Sequence, residues 1–202
     1  MKNLFFSIAL MLLLGCGCKQ VVFWKNGIHS PREETPASLE RFLEKIGLTS
    51  GNVYLFKDTA AFFHYLRHPV FQRRLFGLLV FNEQGLITGS KDTLTGQYAE
   101  AVEQIQRLQS DTVYPADSTF RWETLQINLL PMKGTWKCQD QHPYDYLAVV
   151  TWAHFSGMLN EPLTRVVESA QKNRNAKIFL ILLNVDMQKC WRIKKSQRLT
   201  IR

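Results

Sequence analysis

The chain has 202 residues and a mass of 23.5 kDa, with 46% hydrophobic and 21% charged residues, enough to close one sizeable core and unlike a disordered or collagen-like protein. Four cysteines are too few for a fold built on disulfides, and beyond the first fifteen residues no apolar run has the length that a bilayer-spanning helix needs. The net charge of +8 is spread along the chain, with no Lys/Arg run longer than two, which argues against a nucleic-acid partner and suits attraction to anionic lipid headgroups or acidic glycans.

In chain order, Lys2 is followed by an apolar stretch from Leu4 to Leu14 broken by Ser7, and then by Gly15-Cys16. This is the order of an export signal, too short for a permanent membrane helix. Leu13-Leu14-Gly15-Cys16 resembles the bacterial lipobox; a second frame ending at Cys18 would put Gly15 where the lipobox has Leu, and an ordinary cleaved signal is the plain alternative. The resemblance implies cleavage before Cys16, diacylglycerol on its thiol, and a mature chain held by lipid in the bacterial cell envelope, at the outer membrane facing the periplasm. At about 0.8 kcal/mol per buried methylene, the three acyl chains of such an anchor hold firmly. Losing residues 1–15 removes Lys2 and no acid, leaving 187 residues at +7. Residues 16–37, with Gly27, Pro31 and Pro36 beside Val21, Val22, Phe23 and Trp24, read as the lipidated N-terminus and a linker. A single α/β domain is expected over 38–202.

Thr35-Pro36 ahead of Leu39, Phe42, Leu43 and Ile46 predicts a capped helix that leaves at Gly47. Val53 to Phe56 is a short strand, and Asp58-Thr59 caps a second helix through Leu66 that His68-Pro69 ends. Leu75 to Phe81, the turn at Asn82-Glu83-Gln84-Gly85 and Leu86-Ile87-Thr88 predict a hairpin. From Gly96 a third helix repeats Tyr98, Val102, Ile105 and Leu108. Gln109 to Asp117 reads as a loop, Phe120 to Leu130 as a strand ending at Pro131, and Met132 to Tyr144 as a second loop. Tyr146 to Trp152 and Ile178 to Val185 are continuous apolar runs around a helical pattern of Leu163, Val166, Val167 and Ala170, the signature of a βαβ unit with buried parallel strands.

Inside that unit, Val149-Val150-Thr151-Trp152-Ala153-His154-Phe155-Ser156-Gly157-Met158-Leu159 resembles the active-site segment of thioredoxins, a buried strand running into Trp-Ala, an aromatic and then Cys-Gly-Pro-Cys at a helix start. In this alignment the family's cysteines fall on Ser156 and Leu159, its Gly on Gly157 and its Pro on Met158. Leu183-Asn184-Val185-Asp186 is similar to the Asn-x-Asp closing the next thioredoxin strand. The match covers residues 146–187. Leu78 to Ile87 followed by Gly96-Gln97-Tyr98 looks like the family's closing hairpin and last helix, although the family's proline is missing from Arg74-Leu75-Phe76-Gly77. The resemblance implies a three-layer thioredoxin-like sheet, permuted so that the N-terminal half supplies the hairpin; a three-layer α/β fold of other descent with a similar βαβ unit is the alternative.

Thiol exchange needs a thiolate and a resolving cysteine, and neither Ser156 nor Leu159 supplies one. Ser156 is expected to cap the helix, with Pro162 kinking it or marking its start. A Ser156 nucleophile with His154 as base lacks an acid partner and a Gly-x-Ser-x-Gly elbow. Cys138 and Cys190 are candidates for a structural disulfide, a catalytic pair or free thiols, and Cys18 carries no readable role. His64 and His68 have the i, i+4 spacing of zinc ligands without an acidic companion; no metal and no cofactor is expected. Phe62, Phe63, Tyr65 and Phe71 read as core and rim, and Asp186 as a turn former. The expectation is a lipid-anchored envelope protein whose thioredoxin-like fold has lost its redox pair and serves as a binding or assembly scaffold for an envelope protein partner. Its groove would be lined by Trp152, Phe155, Ser156 and Met158. The rival is an envelope thiol-disulfide oxidoreductase using Cys138 and Cys190.

Overall fold

The computed structural model describes residue 29 and residues 31–49, 51–69, 76–87, 97–134, 144–160 and 162–192. The signal and lipobox, including Cys16 and Cys18, lie outside the described residues, as do Phe71 and Cys138.

Local chemistry starts helices α1 and α2 where the sequence predicts, while a short strand forms within the stretch read as linker. Strand β1 (Glu33–Glu34) leads into helix α1 (Pro36–Lys45). There Thr35 Oγ1 accepts from the Ser38 N–H at 3.2 Å, and Ser38 Oγ accepts from the Thr35 N–H at 2.9 Å, a capping box with serine at its third position. Gly47, at φ 77°, takes the chain out of the helix. After β2 (Val53–Phe56), the Asp58 carboxylate accepts from the Ala61 N–H at 2.8 Å and opens α2 (Thr59–Arg67). The hairpin of β3 (Gly77–Asn82) and β4 (Gly85–Ile87) turns on Asn82, whose Oδ1 accepts from the N–H groups of Gln84 and Gly85. Helix α3 (Gln97–Arg107) follows.

The next stretch departs from expectation. The loop expected up to Asp117 ends in a two-residue strand, β5 (Ala116–Asp117). The strand expected over Phe120 to Leu130 is instead a short helix, α4 (Trp122–Gln126), and then β6 (Leu129–Pro131). Trp122 and Leu125, three residues apart, are both buried; one helical turn brings them to a single face, where a strand would send them to opposite faces. Beyond it stand β7 (Tyr146–Trp152), α5 (Leu163–Lys172), β8 (Ile178–Asn184) and β9 (Met187–Gln188).

Seven strands form one mixed sheet in the order β5-β4-β3-β7-β8-β2-β6, and β1 pairs in parallel with β9 beside it. β7 is the fourth of the seven, parallel to β8 from Tyr146↔Ile178 to Trp152↔Asn184 and antiparallel to β3 from Leu147↔Phe81 to Thr151↔Gly77. β8 runs parallel to β2, and β6 closes that side antiparallel. With both neighbours paired, β7 is buried at every position, which is why it reads as a continuous apolar run.

Side chains of β7 divide between two cores. Leu147 and Val149 pack with Phe62 and Tyr65 of α2 and with Trp122 and Leu125 of α4. Tyr146, Ala148, Val150 and Trp152 pack on the other face with Leu39 and Leu43 of α1, Ala101 and Ile105 of α3, and Leu163 and Val166 of α5. The fold is thus mixed α/β, with helices on both faces of the sheet. No helix among the described residues is long and apolar enough to cross a membrane.

Candidate functional site

The C-terminal ends of the parallel strands β7 and β8 lie side by side, the position at which α/β sheets present ligands. The turn after β7 does not open a helix at Ser156. His154–Asn160 forms a 3-10 segment broken at Gly157, with φ 56° and ψ −128°, a conformation that glycine tolerates. Helix α5 begins only at Leu163, with Pro162 in the capping position, so Pro162 marks the helix start. Ser156 caps nothing: its buried hydroxyl donates to the Ala153 carbonyl at 2.7 Å. Asn160 Nδ2 donates to the same carbonyl at 2.6 Å, closing the bend on itself.

Trp152, Phe155 and Ser156 are buried, so they do not line an open groove. Trp152 stacks on Phe42 with ring centroids 5.7 Å apart, and Phe155 meets the edge of Phe76 at 5.8 Å. Met158 and Leu159 are placed by their backbone alone. Among the described side chains of the bend, His154 is partly exposed, at 30%.

Around His154 stands a polar cluster that sequence reasoning missed. Asp186, expected to form a turn, does so by donating its N–H to Asn184 Oδ1 at 3.1 Å. Its buried carboxylate does more: Oδ2 accepts from the His154 N–H at 2.6 Å and from Asn184 Nδ2 at 2.7 Å, while Oδ1 accepts from the Phe155 N–H at 3.4 Å. It therefore ties the end of β8 to the bend after β7. Burial pushes its pKa up to about 6, the hydrogen bonds from His154, Asn184 and Phe155 pull against that, and the neighbouring Glu34 carboxylate raises it further.

Glu34 comes from the stretch read as linker. It pairs with Gln188 in the β1·β9 ladder, its side chain is 8% exposed, and Oε1 stands 3.0 Å from His154 Nδ1. That contact lies off the line of a hydrogen bond. Oε2 accepts from Ser38 Oγ at 2.6 Å. Thus His154 does have an acid partner, Glu34, while the Ser156 hydroxyl is committed to a carbonyl. Acid-base chemistry at the imidazole is open to this site; a Ser156 nucleophile is not. Buried and without a hydrogen-bond partner among the described residues are Trp152 Nε1, Asn160 Oδ1 and Gln188 Oε1.

Cys190 is exposed with a free thiol, just beyond β9, and its candidate partner Cys138 lies outside the described residues. His64 is exposed on α2, whereas His68 leaves the helix in extended conformation and packs on the Phe120 ring at 4.5 Å, so the two do not share a helical face. Burial, and then the charge of His64, hold the His68 imidazole below its ordinary pKa. Among the described residues no group of three or more His, Cys, Asp or Glu side chains could hold a metal ion. No family model, no curated protein and no solved structure matches the chain.

Proposed function

We propose that this chain is a lipid-anchored protein of the bacterial envelope whose α/β body is a thioredoxin-like core without its dithiol, working as a binding or assembly scaffold. The observation that carries the reading is the fate of the bend after β7. Where the family's first cysteine would stand, Ser156 is buried and spends its hydroxyl on the Ala153 carbonyl, so no sulfur and no free nucleophile faces a substrate there. The sheet supports the kinship: β4-β3-β7-β8, with β7 and β8 parallel and the hairpin antiparallel, is the order of a thioredoxin-like core whose hairpin precedes its βαβ unit in the chain. Helices α3 and α5 also share one face of the sheet. Anchoring rests on the lipobox-like Leu13-Leu14-Gly15-Cys16.

Two measurements test the reading. Cells expressing the chain and fed a labelled fatty acid should yield a labelled protein, and Cys16→Ser should abolish the label. The purified chain should not accelerate insulin reduction by dithiothreitol. Dithiol turnover abolished by Cys190→Ser would replace the scaffold with the oxidoreductase that uses Cys138 and Cys190; an unlabelled wild type would remove the anchor, and label surviving Cys16→Ser would move it off Cys16.

A further inference from the structure

Strand β8 is covered unevenly. Its residues from Ile181 to Asn184 are buried, while Ile178, Phe179 and Leu180 at its start are only half-buried, although they belong to the same apolar run. The cause is register. On one side β7 pairs with all of β8, from Tyr146↔Ile178 onward. On the other, β2 joins only at Val53↔Leu182, because Gly51 and Asn52 ahead of it form a turn and not more strand.

The backbone groups of β8 alternate between these two sides. Those of odd residues face β7: the Lys177 carbonyl accepts from the Tyr146 N–H, and beyond the strand end the Val185 N–H donates to the Trp152 carbonyl. Those of even residues face β2, where the Leu182 N–H donates to the Asn52 carbonyl at 2.9 Å. Ile178 and Leu180 therefore aim their backbone groups at the place a longer β2 would fill. Asn52 Nδ2 donates to the Leu180 carbonyl at 3.2 Å. The Ile178 N–H and carbonyl and the Leu180 N–H have no partner among the described residues.

A cleft of about 370 Å³ runs along this edge, a volume within the range of about 300–1,000 Å³ typical of ligand sites. Leu48, Val167, Ala170 and Leu182 give it an apolar wall. Lys177, exposed at the start of the strand, has no acid partner for its ammonium group among the described residues; Asp145 accepts from its backbone N–H instead. Open strand groups two residues apart select another strand. The wall selects apolar side chains on one face of that strand, and Lys177 selects a carboxylate.

We propose that the open edge of β8 at Ile178–Leu180 is a docking site for an extended peptide of a partner protein, with apolar residues at alternate positions and a carboxylate at the Lys177 end. The peptide takes the position that β2 does not reach, pairs with the three open backbone groups, and completes the cover of Ile178 and Leu180. The site stands on the register of β8 alone. It depends neither on the lipid anchor nor on the thioredoxin-like kinship, which fatty-acid labelling and insulin reduction test separately.

Amide exchange of the full chain read by NMR, alone and with a pool of synthetic peptides, tests the site. The peptides are acetylated hexamers with Val, Ile or Phe at alternate positions, Thr between them, and Asp at one end or the other. In the free chain the Ile178 and Leu180 amides should exchange roughly tenfold or more faster than those of Phe179 and Ile181, which face β7. Excess peptide should close that gap. Lys177→Glu should weaken binding about threefold or more, with the amides of Leu147 to Val150 reporting that the sheet is intact. Methylating every second peptide nitrogen should abolish binding in one of the two phases and spare it in the other. Equal protection of the four amides in the free chain would mean that the edge is already covered, by this chain or by a second copy, and overturns the proposal. So does a pool from which no peptide protects Ile178 and Leu180, binding that Lys177→Glu leaves unchanged, or binding that survives methylation in both phases.

Discussion

Replacing Asp186 by asparagine tests whether burial or hydrogen bonding governs the carboxylate that joins the ends of β7 and β8. Burial raises its pKa from 3.8 to about 6, and a difference of about two units at 1.36 kcal/mol each is about 3 kcal/mol. The folded state favours the neutral acid, so this contribution to stability is complete below pH 3.8 and is lost as pH climbs through about 6. Asparagine does not titrate. With its oxygen kept where Oδ2 accepts from His154 and Asn184, its single NH2 group stands against the Phe155 N–H, costing roughly 1–3 kcal/mol at every pH. Urea unfolding of both chains at pH 4, 5, 6 and 7 separates these effects: the constant cost moves the curves apart, and titration makes the wild-type advantage shrink by about 3 kcal/mol from pH 4 to 7. In thermal unfolding that is roughly 6–12 °C for a domain of this size. A wild-type advantage that stays constant, or grows with pH, refutes the reasoning, because it would mean that the three donors hold the carboxylate ionised against its burial.

Gly85→Ala should cost about 3 kcal/mol or more by urea denaturation, because Gly85 sits at φ 139° and a Cβ there would run into the Asp117 carbonyl; an unchanged midpoint would show that β5 is not held against β4. Phe62→Ala, at a fully buried ring packed on Phe56 and Trp191, should cost about 3–5 kcal/mol, read by the same method; a loss below about 1 kcal/mol would mean that α2 is not a wall of the core. Cys190, exposed and free, should react with a maleimide in the native chain without reductant, and labelling that appears only after reduction would reveal a bridge involving it.

The sequence made the fold legible wherever burial repeats at one period. Leu39, Phe42, Leu43 and Ile46 report α1 through their spacing, and the unbroken apolar runs of β7 and β8 report strands covered on both faces. Phe120 to Leu130 misled because Trp, Ile, Leu and Thr favour strands in composition while a single buried turn, Trp122 to Leu125, is too short to show helical periodicity. The polar cluster was less accessible still. A buried Glu34 looks like a surface glutamate in the chain, because what buries it is a pairing with Gln188, more than 150 residues away. The available signal was positional: an acid directly ahead of the Thr35 cap, and Asn184-x-Asp186-x-Gln188 alternating out of a strand end. In the sequence Asp186 reads as a turn former, which is half of what it does.

The order of the sheet has a consequence for how this protein comes into being. Strands β3 and β2, made early, never touch each other; the pair β7 and β8, made more than sixty residues after β3, is driven between them like a wedge. Before that pair arrives, β3-β4-β5 on one side and β2-β6 on the other can pair locally, but the two halves have no shared strand on which to join. Such a chain condenses late and slowly, through contacts that span most of its length. Losing β8 would therefore do more than trim an edge: it would part the molecule down the middle.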